Sequence, residues 1–355
     1  MASYSRKPLP WGGELGIPVE DCHTSKEVME RAGLNFYVDK CELVARMPVN
    51  INGDNTINEN MGDFAYNGNI YRDCPNAYAT YRVDRNIPLG LVKSQYTVVQ
   101  NIEAFNFFDD AIGPNKAIWQ TAGCFGYGHR IFVSAKLPIE TDVNGDLINN
   151  YLVFTNSHDG SMSVDIMFTP VRMFCFNMLA GAKQSAKAHI RIKHTKSAKE
   201  RLQRGTEVLR IACQYATEAQ QLYDSLYTIK MSDDAVIEYL MKLNLTEDEL
   251  YNILDYDKLR GFDRLLARDR FFMEQTNIST RKANKIASMF DYYKNGIGQR
   301  EIMGNAWGAY NAVTGYYSNV DNVTGEKRLN SLLYGNGQTS INDAFVSAMA
   351  LAEAV

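Results

Sequence analysis

The sequence predicts an α+β fold: an antiparallel β-meander packed on a long helix, with an all-α C-terminal third. Three observations point to it. Between residues 77 and 168, short alternating segments are separated by Gly- and Asp-rich turns, which is the spacing of an antiparallel meander. From Arg172 onward the apolar period lengthens from that of a strand to that of a helix, and small or apolar residues then recur every seven positions. Beyond Ser232 capping boxes and helical spacings follow one another with no alternating segment. These changes divide the chain into an irregular N-terminal arm over 1–23, an α+β core over 24–230 and a helical region over 231–355.

The arm is rich in Gly and Pro and has no period. Thr24-x-x-Glu27 is a capping box for a short helix through Ala32, which Gly33 ends. Residues 35–49 alternate as a strand, and 50–76, dense in Asn, Gly and Asp, read as a long loop or hairpin excursion. A strand over 77–83 leads through Pro88 and Gly90 to a helix over 101–112, with Ile102, Phe105, Phe108 and Ile112 on one face. Strands follow at 117–124, 129–137, 151–154 and 162–168. The Gly123-x-x-Gly126-x-Gly128 corner lies between two strands and not ahead of a helix, so it reads as a hairpin turn and not as a phosphate cradle. Residues 142–146 form another turn, and Asp159-Gly160 makes a hairpin of the last two strands, with His158 a hairpin residue. Helix is expected over 174–187, strand over 188–194, then one long helix from the Ser197-x-x-Glu200 cap to Tyr227. Within 232–257 Ser232 caps one helix and Thr246-x-x-Glu249 another, and helices over 259–274, 280–294, 305–317 and 341–354 complete the chain.

Charge is distributed unevenly. The formal net charge is -4, yet residues 183–204 hold eight cations against one acid, so the remainder sums to about -11. A basic segment on an acidic body is a candidate polyanion footprint, and the alternative is a solvated helix face. Residues 232–257 invert the sign, with eight acids against Lys242, and the opposed stretches suggest a homo-oligomer. The six cysteines are scattered, with no CxxC or Cys/His cluster, which fits a reducing cytoplasm and gives no zinc site. No run approaches a membrane span. His158-Asp159 lacks further residues at ligand spacing, and no GxSxG, Walker A or HExxH motif is present, so neither a metal, a cofactor nor a catalytic residue is expected. Arg172 lies near Cys175, but a Phe-Cys-Phe setting suits a core thiol better than an activated one.

Several blocks carry a resemblance. Tyr96 to Asn101, Phe132 to Pro138, Phe154 to Ser161, Pro170-Val171-Arg172 with Asn177, Arg191 to Leu202, and Trp307 to Ala312 are, in this order, similar to the phage/plasmid-like proteins of domain-of-unknown-function family 932. The helices before Trp307 depart from that pattern. The resemblance implies a mobile-element protein in a bacterial cytoplasm, and it implies no assigned activity.

The expected function is nucleic-acid binding, specifically to single-stranded DNA in recombination or replication. Arg172, Lys183, Lys187, Arg191, Lys193, His194, Lys196, Lys199 and Arg201 are the candidate contacts, and the exposed aromatics are candidates for base stacking. Two other classes compete: a counter-defence or assembly factor that binds a host protein or sequesters a nucleotide messenger, and an uncharacterised enzyme.

Overall fold

The computed structural model describes residues 16–49, 55–57, 62–112, 117–172, 175–176, 189–203, 206–256, 261–267 and 269–353. Its strands are β1 (Ile17–Pro18), β2 (Val38–Pro48), β3 (Phe64–Tyr66), β4 (Asn69–Arg82), β5 (Ile87–Lys93), β6 (Ile118–Phe125), β7 (Arg130–Val143), β8 (Asp146–Ser157), β9 (Val164–Arg172), β10 (Cys175–Phe176) and β11 (His189–Ile192). The helices are α1 (Ser25–Ala32), α2 (Asn101–Ile112), α3 (Ala198–Gln203), α4 (Thr206–Thr228), α5 (Asp233–Asn244), α6 (Glu247–Tyr256), α7 (Gly261–Leu266), α8 (Arg270–Gln275), α9 (Thr280–Asn295), α10 (Ala306–Gly315), α11 (Gly325–Tyr334) and α12 (Asn336–Glu353). The fold is mixed, with antiparallel sheets and a helical C-terminal region.

A seven-stranded sheet runs in the order β1-β6-β7-β8-β9-β10, with β11 also pairing with β9. Its centre follows from composition. Every residue of β9 is buried, as are the last eight of β8, so both faces are covered and the apolar runs there are continuous. The β7–β8 turn contains Asn144-Gly145 with φ of 52° and 89°, the left-handed pair that a tight hairpin turn requires. In the second, four-stranded sheet, β4 pairs with β2 along one edge and with β3 and β5 at its two ends. Asn67-Gly68 turns β3 into β4 with φ of 47° and 69°.

Several expectations are corrected. Residues 17–18 of the arm pair with β6, so that part is sheet. The strand expected at 77 begins at Asn69 and pairs with β3, so the described part of 50–76 is the hairpin excursion and not the loop. Strand β5 was hidden by Pro88, which the ladder accepts because β5 pairs only with β4. Within the helix expected over 174–187, Cys175–Phe176 is strand paired back onto β9, and residues 177–188 lie outside the described residues. The single helix expected from Ser197 to Tyr227 is described in two stretches, α3 and α4, and residues 204–205 lie outside the described residues. The helix over 259–274 is likewise two, α7 and α8, and α11 was not anticipated.

One apolar cluster runs from the large sheet into the C-terminal helices. On α4, Ala216, Ala219, Tyr223 and Leu226 are buried at spacings of three and four, and Tyr223 packs on Trp307 at 4.5 Å between ring centres. The Gln220 Oε1 on α4 accepts the Asp142 N–H at 2.8 Å, and the Asn144 amide donates to the Tyr227 hydroxyl at 2.6 Å. A polar tie crosses the same boundary. The Arg172 guanidinium is fully buried, its Nε donating to the Asp146 carboxylate and its Nη2 to the Gly298 carbonyl at 2.7 Å. The Trp307 indole N–H donates to the same Asp146 oxygen at 2.8 Å.

Candidate nucleic-acid interface

The basic segment is built on β11. Its register against β9 and its alternation bury Ile192 and turn Arg191 and Lys193 outward. Lys196 and Arg201 are exposed on the way into and along α3, whose Ala198 and Leu202 are buried. Four of the nine predicted contacts, Arg191, Lys193, Lys196 and Arg201, are therefore exposed along β11 and α3. Arg191 is not wholly free, because its Nε donates to the nearly buried Asp165 carboxylate at 3.0 Å.

Two of the nine are corrected. Arg172 cannot reach a phosphate, since it is enclosed between β8, β9 and the C-terminal helices with Asp146 as its counter-ion. His194 is buried by the alternation that exposes Lys193. It stacks on Tyr96 at 4.5 Å, its Nδ1 meets the Thr97 carbonyl at 3.1 Å, and burial lowers its pKa, so it adds no charge near neutrality. Lys183, Lys187 and the Lys199 side chain lie outside the described residues.

Sequence reasoning missed two further cations. A turn closed by the Tyr96 N–H on the Lys93 carbonyl brings exposed Lys93 next to Tyr96. The Lys40 ammonium donates to the Tyr96 and Ser94 carbonyls at 2.8 and 3.1 Å. The signal was the alternation of residues 87–93, obscured by Pro88 and Gly90.

A separate cleft of about 470 Å³ is lined by Arg130, Met162, Lys327, Asn330, Ser331 and Tyr334, among others. Arg130 spans it. Its Nε donates to the Ser161 hydroxyl at 3.0 Å and lies 3.4 Å from Asp159, and its Nη1 reaches Glu326 at 3.4 Å. The Tyr334 hydroxyl pairs with Thr155 at 2.7 Å, and burial followed by the nearby Asp165 charge pushes its pKa up, so it stays a phenol. Asp165 thus joins the cleft to Arg191.

The floor of this region is the loop between β8 and β9. His158 lies in this hairpin as expected and is fully buried, because the second sheet covers it. The Asn101 amide donates to the Leu34 carbonyl, so its oxygen faces the His158 Nε2 at 2.8 Å as an acceptor and fixes the proton on Nε2. The Thr80 hydroxyl donates to the His158 carbonyl at 2.5 Å. Gly90 allows this closeness, since a Cβ there would lie 2.4 Å from the Asp159 Cα. Gly90→Ala is expected to cost about 1–3 kcal/mol as overpacking against backbone. A denaturant midpoint equal to that of the unaltered chain would show that the loop yields freely.

Among the described residues no group of three or more His, Cys, Asp or Glu side chains is placed to hold a metal ion. Among the same residues no helix is long and apolar enough to cross a membrane. A family model described as Domain of unknown function (DUF932) matches residues 88–335. No curated protein and no solved structure matches the chain.

Proposed function

The chain belongs to the DUF932 family, and on that premise we propose that it binds phosphate-bearing ligands, single-stranded nucleic acid first among them, in the replication or recombination of a mobile element. The observation that carries this reading is the run of exposed cations Arg191, Lys193, Lys196 and Arg201 along β11 and α3, with exposed Lys93 elsewhere and Lys327 and Arg130 in the cleft. Phosphates spaced along a flexible strand satisfy such a run and release their counter-ions to solvent, while β9, on which β11 is paired, provides a stiff support. The acids Asp159, Asp165 and Glu326 sit among these cations, which favours a narrow track over a broad electropositive face.

The test is an affinity series against oligonucleotides of increasing length. With four to six phosphates engaged, log affinity falls against log salt with a slope of about -3 to -4 on single strands. Lys193→Glu, Lys196→Glu and Arg201→Glu together weaken binding by roughly tenfold or more at low salt. Binding that is unchanged in that triple variant would exclude the row as the contact surface.

The cleft volume favours a second reading, a nucleotide-sized ligand held between Arg130 and Lys327. Length separates the two: a mononucleotide saturates a cleft site, whereas a track gains affinity with each added phosphate.

A further inference from the structure

Strand β2 is an outer strand of the four-stranded sheet, eleven residues long, and among the described residues no strand pairs with its far edge. Which of its backbone groups face outward can be read from two neighbours. The Val83 N–H donates to the Tyr37 carbonyl, so position 37 faces β4. The Val38 N–H donates to the Gln100 side-chain oxygen and its carbonyl accepts the Gln100 amide, so position 38 faces away. Alternation carries the outward direction to positions 40, 42, 44, 46 and 48. The register shift between Glu42 and Val44 is taken up by extra residues on β4, between Asp73 and Tyr78, so β2 itself stays regular. Glu42, Val44, Arg46 and Met47 are exposed, with Val44 and Met47 each 43% accessible.

A long open edge is a template for another strand, and charges or proline on it ordinarily block that outcome. Here the charges are arranged to accept one partner. Glu42 and Arg46 lie two residues either side of Val44. When β2 meets an antiparallel copy of itself with Val44 on the two-fold axis, Glu42 lies opposite the partner subunit's Arg46, and Arg46 opposite the partner subunit's Glu42. The three facing pairs are all hydrogen-bonding pairs, which gives about six inter-strand bonds. Centring on Glu42 or on Arg46 would instead set like charges against each other at the axis. Pro48, which lacks an N–H, closes each end beside Lys40 and offers only its carbonyl.

We propose that the protein forms a two-fold homodimer through β2, in the register centred on Val44, so that two four-stranded sheets become one of eight strands. The argument is independent of what the basic row binds, and its failure would leave the nucleic-acid reading untouched.

Sedimentation velocity of the full chain at micromolar concentration and low salt tests it. The unaltered protein sediments as a dimer. Arg46→Glu places like charges at both symmetric positions and weakens dimerisation by roughly tenfold or more, Glu42→Arg with Arg46→Glu restores it, and Val44→Pro gives a monomer. Val44→Cys forms a reducible crosslink, because facing Cα atoms in such a pair are about 5.5 Å apart, within disulfide reach. Circular dichroism establishes that each variant is folded. If Val44→Pro does not fold, Arg46→Glu and its charge-swapped rescue decide the matter. A monomeric unaltered protein, or a dimer indifferent to Arg46→Glu, would overturn the proposal.

Discussion

Asp146→Ala lowers the free energy of unfolding by about 3–5 kcal/mol, because it strands the Arg172 guanidinium without a counter-ion inside the protein. Arg172 is fully buried and Asp146 is 7% accessible, so water cannot replace the lost partner. The same substitution orphans the Trp307 indole N–H, which donates to that carboxylate. Adding Arg172→Met removes the buried charge and recovers most of the loss, leaving about 1–2 kcal/mol for the indole and the Gly298 carbonyl, whose donor is gone. Guanidinium chloride unfolding of the single and double variants measures both steps, and a single-variant loss under about 1 kcal/mol would mean that the pair is dispensable. The double variant, once folded, is expected to bind oligonucleotides as the unaltered chain does, since neither side chain reaches the surface.

Acidification from pH 7 to pH 4.5 destabilises the protein by about 2–3 kcal/mol through His158 alone. Burial holds its pKa near 3, with the His194 field adding to the effect and Asp159 opposing it. The unfolded chain binds a proton below about pH 6.5, whereas the folded chain binds none until pH falls near 3. Stability is therefore fully present above pH 6.5 and declines toward pH 3 at up to about 1.4 kcal/mol per pH unit. His158→Gln keeps a donor for the Asn101 oxygen and removes the titration. Whatever its stability at pH 7, the variant's stability falls less steeply on acidification than that of the unaltered chain. Equal slopes in the two proteins between pH 6.5 and 4.5 would assign the acid sensitivity to the carboxylates.

The cleft was not legible in the sequence. Arg130 and Lys327 are nearly two hundred residues apart, and nothing local marks them as neighbours. The basic row was legible in part, because strand alternation and helix capping are local rules. Those rules correctly place Arg191 and Lys193 outward, but they do not tell an exposed cation from one enclosed by a later helix. In the sequence Arg172 and Arg191 are alike as cations flanking the basic segment or within it, and nothing near either tells them apart. It is the packing of α10, through Trp307, that encloses one and leaves the other in water.

By itself the sequence determined the family, the antiparallel hairpins between residues 117 and 172, the helical character of the chain beyond Ser232 and the existence of a cationic segment. All of these depend on residue type and on spacings of a few positions. Only the tertiary structure decided which cations remain in water, that His158 lies beneath a second sheet, and that β2 presents an open edge. Burial and edge exposure depend on which distant segments come to rest against a residue, and that contact has no signature within the residue's own neighbourhood.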